Sequence, residues 1–121
     1  MIQDNSALEK RIRLDLKDRE YSFEGVYSCS IEIRVQDGCI RISGQDFGSA
    51  CKSMTGDSEY EFFYSLDEEN TKRFLLVLRE RYGLKKSLRQ VLKEEFGDYW
   101  NSDSFRDICM FNGIQYQFYS C

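Results

Sequence analysis

The chain has 121 residues, 41% of them hydrophobic and 31% charged, with a formal net charge of −4 and no histidine or proline. That length fits one domain whose core needs no metal or disulfide staple, and the composition excludes a disordered chain. Without histidine, Ser-His-Asp and Cys-His machinery and His-bearing zinc sites are excluded, and the acidic balance disfavours a general nucleic-acid coater while suiting a basic partner.

In chain order, Met1-Ile2-Gln3-Asp4-Asn5-Ser6 has neither a basic n-region nor an apolar h-region, so no signal peptide is expected. Ile12, Leu14 and Leu16 alternate with Arg11, Arg13, Asp15 and Lys17. This period of two predicts a half-buried strand, against a rival helix that sets Leu8 and Ile12 at i, i+4. Tyr27, Cys29, Ile31, Ile33 and Val35 then share one strand face and Ser28, Ser30, Glu32 and Arg34 the other. Gln36-Asp37-Gly38 supplies a turn, and Ile40 and Ile42 face inward on the return, making 27–43 a hairpin. Residues 44–58 read as an irregular glycine-rich connection. Glu59 to Leu66 is a strand with Tyr60, Phe62, Tyr64 and Leu66 on one face and Glu59, Glu61 and Phe63 on the other.

The period then changes. Asp67 can cap a helix carrying Phe74, Leu75, Leu78 and Tyr82, which Gly83 ends. Ser87 opens a second, with Leu88, Val91, Leu92 and Phe96 before Gly97. Ser102 or Asp103 opens a third, with Phe105, Ile108 and Cys109 before Asn112-Gly113. Ile114, Tyr116 and Phe118 alternate in a closing strand. The expected fold is a single α+β domain over 1–121: an antiparallel β-meander of about four strands, two to three helices packed on the sheet, and a C-terminal strand. The longest apolar run, Phe74 to Leu78, is far short of a membrane span.

No pattern of catalytic or metal-ligating residues stands out. Cys29, Cys39, Cys51, Cys109 and Cys121 contain no Cys-x-x-Cys pair. An odd count without a signal peptide reads as free thiols acting as small hydrophobes in a reducing cytoplasm. Gly44 and Gly48, followed by Cys51-Lys52-Ser53, lack the glycine before lysine that a phosphate loop requires, and Asp46-Phe47-Gly48 stands alone without other kinase elements.

Charge, by contrast, is sorted along the chain. Residues 57–69 carry Asp57, Glu59, Glu61, Asp67, Glu68 and Glu69, a local −6. Residues 72–93 carry Lys72, Arg73, Arg79, Arg81, Lys85, Lys86, Arg89 and Lys93 against Glu80, a local +7, and 94–107 return to −4. Solvated helix faces with charges paired across neighbours are one reading; a dipolar surface that receives a basic partner is another; a basic helical hairpin for nucleic acid is a third. The 9 Phe, 8 Tyr and 1 Trp exceed what the core stripes absorb. Phe47, Phe63 and Tyr119 fall on loops or non-core faces. Asp98, Tyr99 and Trp100 sit in a helix–helix connection, where Tyr99 and Trp100 either fold back onto the core or anchor an interface.

Three segments carry a family resemblance: Asp18-Arg-Glu-Tyr-Ser-Phe-Glu-Gly25, the 44–66 stretch ending Glu59-Tyr-Glu-Phe-Phe-Tyr-Ser-Leu66, and Phe105-Arg-Asp-Ile-Cys-Met-Phe-Asn-Gly-Ile-Gln-Tyr-Gln-Phe-Tyr119. In overall texture the chain resembles small Firmicute immunity proteins that accompany polymorphic toxins of the contact-dependent growth inhibition type. The resemblance implies a cytoplasmic, non-enzymatic protein that occludes the active site of a cognate, basic toxin domain, with no cofactor, metal, membrane or nucleic-acid partner. The expected partner-binding residues are Asp57, Glu59, Glu61 and Phe63, with Asp46 and Phe47 from the adjoining loop and Asp98, Tyr99 and Trp100. A small carboxylate-based enzyme or ligand-binding domain, and a regulatory adaptor binding nucleic acid through 72–93, are the alternatives.

Overall fold

The computed structural model describes residues 6–24, 29–46, 60–97 and 102–120. Helix α1 (Ser6–Asp15) opens the chain where alternation predicts a strand. The physical source of this correction is visible in the packing: Leu8, Ile12 and Leu16, spaced by four, all meet the core, whereas Leu14 is 50% exposed. Asp15, which alternation assigns to solvent, is buried. The first strand lies just downstream as β1 (Arg19–Glu24), with Tyr21 and Phe23 turned inward.

Strands β2 (Cys29–Gln36) and β3 (Cys39–Asp46) form the expected hairpin. Its central residues Asp37 and Gly38 have φ of 53° and 77°, the positive pair that a type I′ turn requires and that matches the twist of the strands. β3 runs on through Gly44 to Asp46, so the first three residues of the expected irregular connection belong to the sheet. Gly44 has a steric role there. A Cβ at this position would lie 2.1 Å from the Phe62 ring, so the missing side chain is what lets that ring cover the strand. β4 (Tyr60–Leu66) pairs with β3, and β5 (Gln117–Ser120) pairs with β4. The sheet order is β1-β2-β3-β4-β5, antiparallel throughout. The last strand starts later than its alternation predicts: Ile114 and Tyr116 lie in the lead-in that follows the turn at Gly113 (φ 64°).

Helix α2 (Glu68–Tyr82) starts and stops where its caps dictate. The Asp67 carboxylate accepts from the Asn70 N–H at 2.8 Å and from the Asn70 amide at 2.9 Å, and these bonds hold its carboxyl below the usual range. Gly83, at φ 84°, ends the helix. α3 (Leu88–Leu92), capped by Ser87, runs into a π-helical turn over Lys93–Gly97, and α4 (Ser102–Phe111) follows. Two bonds tie the start of α2 to the sheet, and a third ties it to the lead-in to β5. The Thr71 hydroxyl accepts from the Ile40 N–H at 2.9 Å and donates to the Leu66 carbonyl at 3.3 Å, and the Asn70 carbonyl oxygen accepts from the Gln115 N–H at 2.8 Å.

The core lies between the helices and one face of the sheet, an α+β arrangement. Ile31, Ile33, Val35, Ile40, Ile42, Phe62, Tyr64 and Leu66 supply the sheet side; Phe74, Leu75, Leu78, Val91, Phe96 and Phe105 supply the helix side. The Tyr64 ring stands 4.8 Å from that of Phe105 and 4.9 Å from that of Phe118. Among the described residues no helix is long and apolar enough to cross a membrane.

A charged pair crosses this core. Arg79 donates from Nε and Nη2 to the two oxygens of Asp15, each at 2.8 Å, with both side chains 0% exposed. Its Nη1 donates to the carbonyls of Gly83 at 3.2 Å and Lys86 at 2.7 Å, and Arg11 adds a bond to Asp15 at 3.1 Å. Among the described residues no buried side-chain nitrogen or oxygen lacks a partner.

Removing one member of a buried pair strands the other charge, so Asp15→Ala is expected to destabilise by about 3–5 kcal/mol. A conservative exposed control, Glu9→Gln, is expected to stay within about 0.5 kcal/mol in the same urea titration. Gly44→Ala forces the Phe62 ring aside and is expected to lose about 1–3 kcal/mol. In a double-mutant cycle, Phe62→Leu should relieve much of that loss.

Candidate partner-binding face

Because strand side chains alternate, the residues that skip the core line the opposite face of the sheet. Two cross-strand rows define it. One runs Ser22–Glu32–Ser43–Phe63–Tyr119, the other Glu20–Arg34–Arg41–Ser65–Gln117. All of these residues are half-buried or exposed, and among the described residues no helix covers them. This antiparallel sheet has one face on the core and one that no helix covers among the described residues.

Aromatic, acidic and basic groups all stand on this face. Phe63 and Tyr119, paired across β4 and β5, have ring centroids 5.7 Å apart, and Tyr119 is 58% exposed. Serine at 30, 43 and 65 leaves the surface low between the larger side chains. One depression of about 190 Å³ is lined by Ser30, Glu32, Ser43, Gly44, Glu61 and Phe63. A second, of about 330 Å³, lies between Arg34, Arg41, Phe63 and Tyr119. Arg34 forms ion pairs with Glu20 and, at 3.6 Å, with Glu32. Arg41 lies directly opposite Arg34, a like-charge pairing that costs stability on a sheet surface.

Of the residues expected at the interface, Glu61 and Phe63 stand on this uncovered face, on the strand parity read from the sequence. Asp46 ends β3 in register with Cys29 and Tyr60. Its side chain, together with Phe47, Asp57, Glu59, Asp98, Tyr99 and Trp100, lies outside the described residues. The structure adds Glu32, Ser30, Ser43 and Tyr119 to the neighbourhood of Glu61 and Phe63. Tyr119 was already read onto a non-core face, and the signal for Ser30 and Glu32 was present in the hairpin's alternation, which placed both outward. What it lacked was the order of the strands.

Four of the eight basic residues of 72–93 hold carboxylates of the chain, and a fifth lies over an aromatic ring. Arg79 is buried on Asp15; Arg73 bonds Glu69 at 3.2 Å and the Gly113 carbonyl at 3.3 Å. Arg81 bonds Glu95 at 2.7 Å and Lys86 bonds Glu94 at 2.8 Å. Arg89 lies over the Phe23 ring, 5.4 Å from its centroid. Tyr82 donates its phenol proton to the second oxygen of Glu95.

Neither Cys39 nor Cys109 is tuned for attack. Burial pushes Cys109 up to about 12, and burial together with the nearby Glu68 raises Cys39, both away from the thiolate form that reacts. Nor do three His, Cys, Asp or Glu side chains converge as a metal site among the described residues. No family model matches this chain, and neither a curated protein nor a solved structure is found to be similar to it.

The Tyr82–Glu95 contact makes a pH prediction. Burial, then the bond to Glu95 and its negative charge, push the Tyr82 phenol from 10.0 up to about 12. A raised value means that folding favours the protonated phenol, so its contribution is full below pH 10 and is lost as the pH rises through about 12. Glu95→Gln is expected to bring the Tyr82 titration part of the way back, leaving the shift due to burial. Tyrosine ring shifts followed by NMR across that range check this; an unmoved Tyr82 titration would contradict it.

Proposed function

We propose that this chain is an immunity protein: it binds a cognate bacterial toxin domain and neutralises it by covering the toxin's active site. The observation that carries this reading is the uncovered sheet face, where the Phe63–Tyr119 pair stands beside low serines and the carboxylates of Glu32 and Glu61. Aromatic side chains anchor interfaces because they bury much area at little entropic cost. A toxin that attacks nucleic acid must present a cationic cleft to phosphate, and an acidic surface can occupy that cleft in the substrate's place. The net charge of −4 and the acidic run from Asp57 to Glu69 favour attraction to such a partner at long range. Blocking of this kind needs no catalytic group and no cofactor. The alternative of a nucleic-acid adaptor draws less support, since Arg73, Arg79, Arg81 and Lys86 of its basic segment already hold carboxylates of this chain.

Co-expression with candidate toxin domains tests the reading directly: the chain is expected to restore growth against one of them and to form a one-to-one complex with it. Within that complex, Glu59→Lys with Glu61→Lys is expected to slow association about tenfold at low salt, with the difference shrinking as salt screens the charges. An unchanged association rate from a normally folded double variant would put the interface elsewhere.

A further inference from the structure

The two edges of the sheet differ in chemistry. β1 carries Arg19, Glu20 and Glu24, and Glu20 is held by Arg34 of β2. Charges on an edge strand discourage another chain from pairing with it. β5, at the other edge, carries none. It belongs to a longer neutral stretch: from Ile108 to Cys121 there is no Asp, Glu, Lys or Arg, in a chain that is 31% charged.

Apolar exposure gathers at the same edge. Of the six large hydrophobic side chains exposed among the described residues, four lie in this neutral stretch: Met110 at 69%, Phe111 at 78%, Phe118 at 46% and Tyr119 at 58%. The packing explains their placement. Phe105 of α4 sits against Tyr64 of β4 and against Tyr116 in the lead-in to β5, so α4 lies over this border of the sheet and ends in Met110 and Phe111. The Phe118 ring is on the helix side, 4.9 Å from that of Tyr64, and the Tyr119 ring is on the uncovered side beside Phe63. β5 pairs with β4 along one side, and among the described residues no strand pairs with the other. An antiparallel neighbour takes the N–H and C=O groups of every second residue, so those of the alternate residues are turned outward.

We propose that β5 pairs antiparallel with β5 of a second copy of this chain, joining the two sheets edge to edge. Charge selects this occupant. A neutral, aromatic edge gives a charged partner strand nothing to pair with, whereas a second copy brings an equally neutral edge and strips no charge of its water. Strand parity permits the match: a two-fold axis on Phe118 sets Phe118 against its own copy on the helix side, and Gln117 against Tyr119 of the second copy on the uncovered side. Exposed rings on both faces are then covered together. The contact is isologous, so it closes at two copies, and the charged β1 edges stay outside it. This inference goes beyond the immunity reading and does not depend on it; the dimer leaves both uncovered faces side by side.

Sedimentation velocity on the full chain tests this. The protein is expected to pass from monomer to dimer between about 10 μM and about 1 mM, and added salt should not weaken the dimer, because no ion pair holds it and salt screens the repulsion between two chains of net charge −4. Tyr119→Glu and Gln117→Lys each place a charge on the edge and are each expected to weaken the dimer at least about tenfold. Gln117 is exposed, so Gln117→Lys keeps its unfolding midpoint even if Tyr119→Glu loses some stability with the Phe63 contact. Combined in one chain, the two substitutions set Lys against Glu twice across the two-fold axis, and dimerisation is expected to return. A wild-type chain that stays monomeric throughout, a dimer that neither single variant weakens, or a combined variant that stays monomeric would overturn the proposal.

Discussion

The buried pair of Asp15 and Arg79 holds together distant parts of the chain. It connects α1 to the last turn of α2, and the same guanidinium donates to the carbonyls of Gly83 and Lys86. One side chain thus docks a helix, closes the end of another, and fixes the path of the connection to α3. Every hydrogen-bonding edge of the guanidinium that the fold buries meets an acceptor, which is the condition under which a charge can sit in a low-dielectric interior at all. With α1 and α2 locked in this way, the apolar stripe of α2 lies on β3 and β4, and the sheet's inner face is sealed.

Sealing one face decides the character of the other. All the described helices pack on the side of Ile33, Ile42 and Tyr64, so the opposite side keeps the polar half of every strand's alternation. What collects there is more than a solvated surface. Two arginines face each other across β2 and β3, two glutamates flank β3, and two aromatic rings meet at the β4–β5 edge. An exposed ring such as Tyr119 keeps apolar area in water, a cost that contact can relieve. The charged helices on the far side of the molecule differ. Several of their opposite charges meet within the chain, from Arg73 with Glu69 to Lys86 with Glu94.

Much of the fold was legible from local patterns. The β2–β3 hairpin follows from strict alternation and an Asp-Gly turn, and α2 follows from its Asp67 cap, apolar stripe and terminal Gly83. Each is a short-range device that works wherever the segment sits. Residues 11–17 misled because they fit two periods at once, and only the destination of Asp15 resolves the choice: a strand would place it in water, while the helix carries it to Arg79. Gly44 likewise reads as loop until the Phe62 ring is seen across it from the next strand. For the candidate site, Glu61 and Phe63 were legible by strand parity, but the neighbours that turn them into a surface come from other strands.

The sequence by itself determined the α+β class, the hairpin, the boundaries of α2 and the absence of histidine chemistry, since these depend on composition or on residues within a few positions of each other. Tertiary structure alone decided that α1 is a helix, that the positive charge of Arg79 faces inward while its neighbours pair at the surface, and that Glu32 joins Glu61 and Phe63 across an intervening strand. The reason is the same in each case. Strand order and helix docking bring together residues far apart in the chain, and no periodicity within a segment encodes which distant side chain will lie opposite.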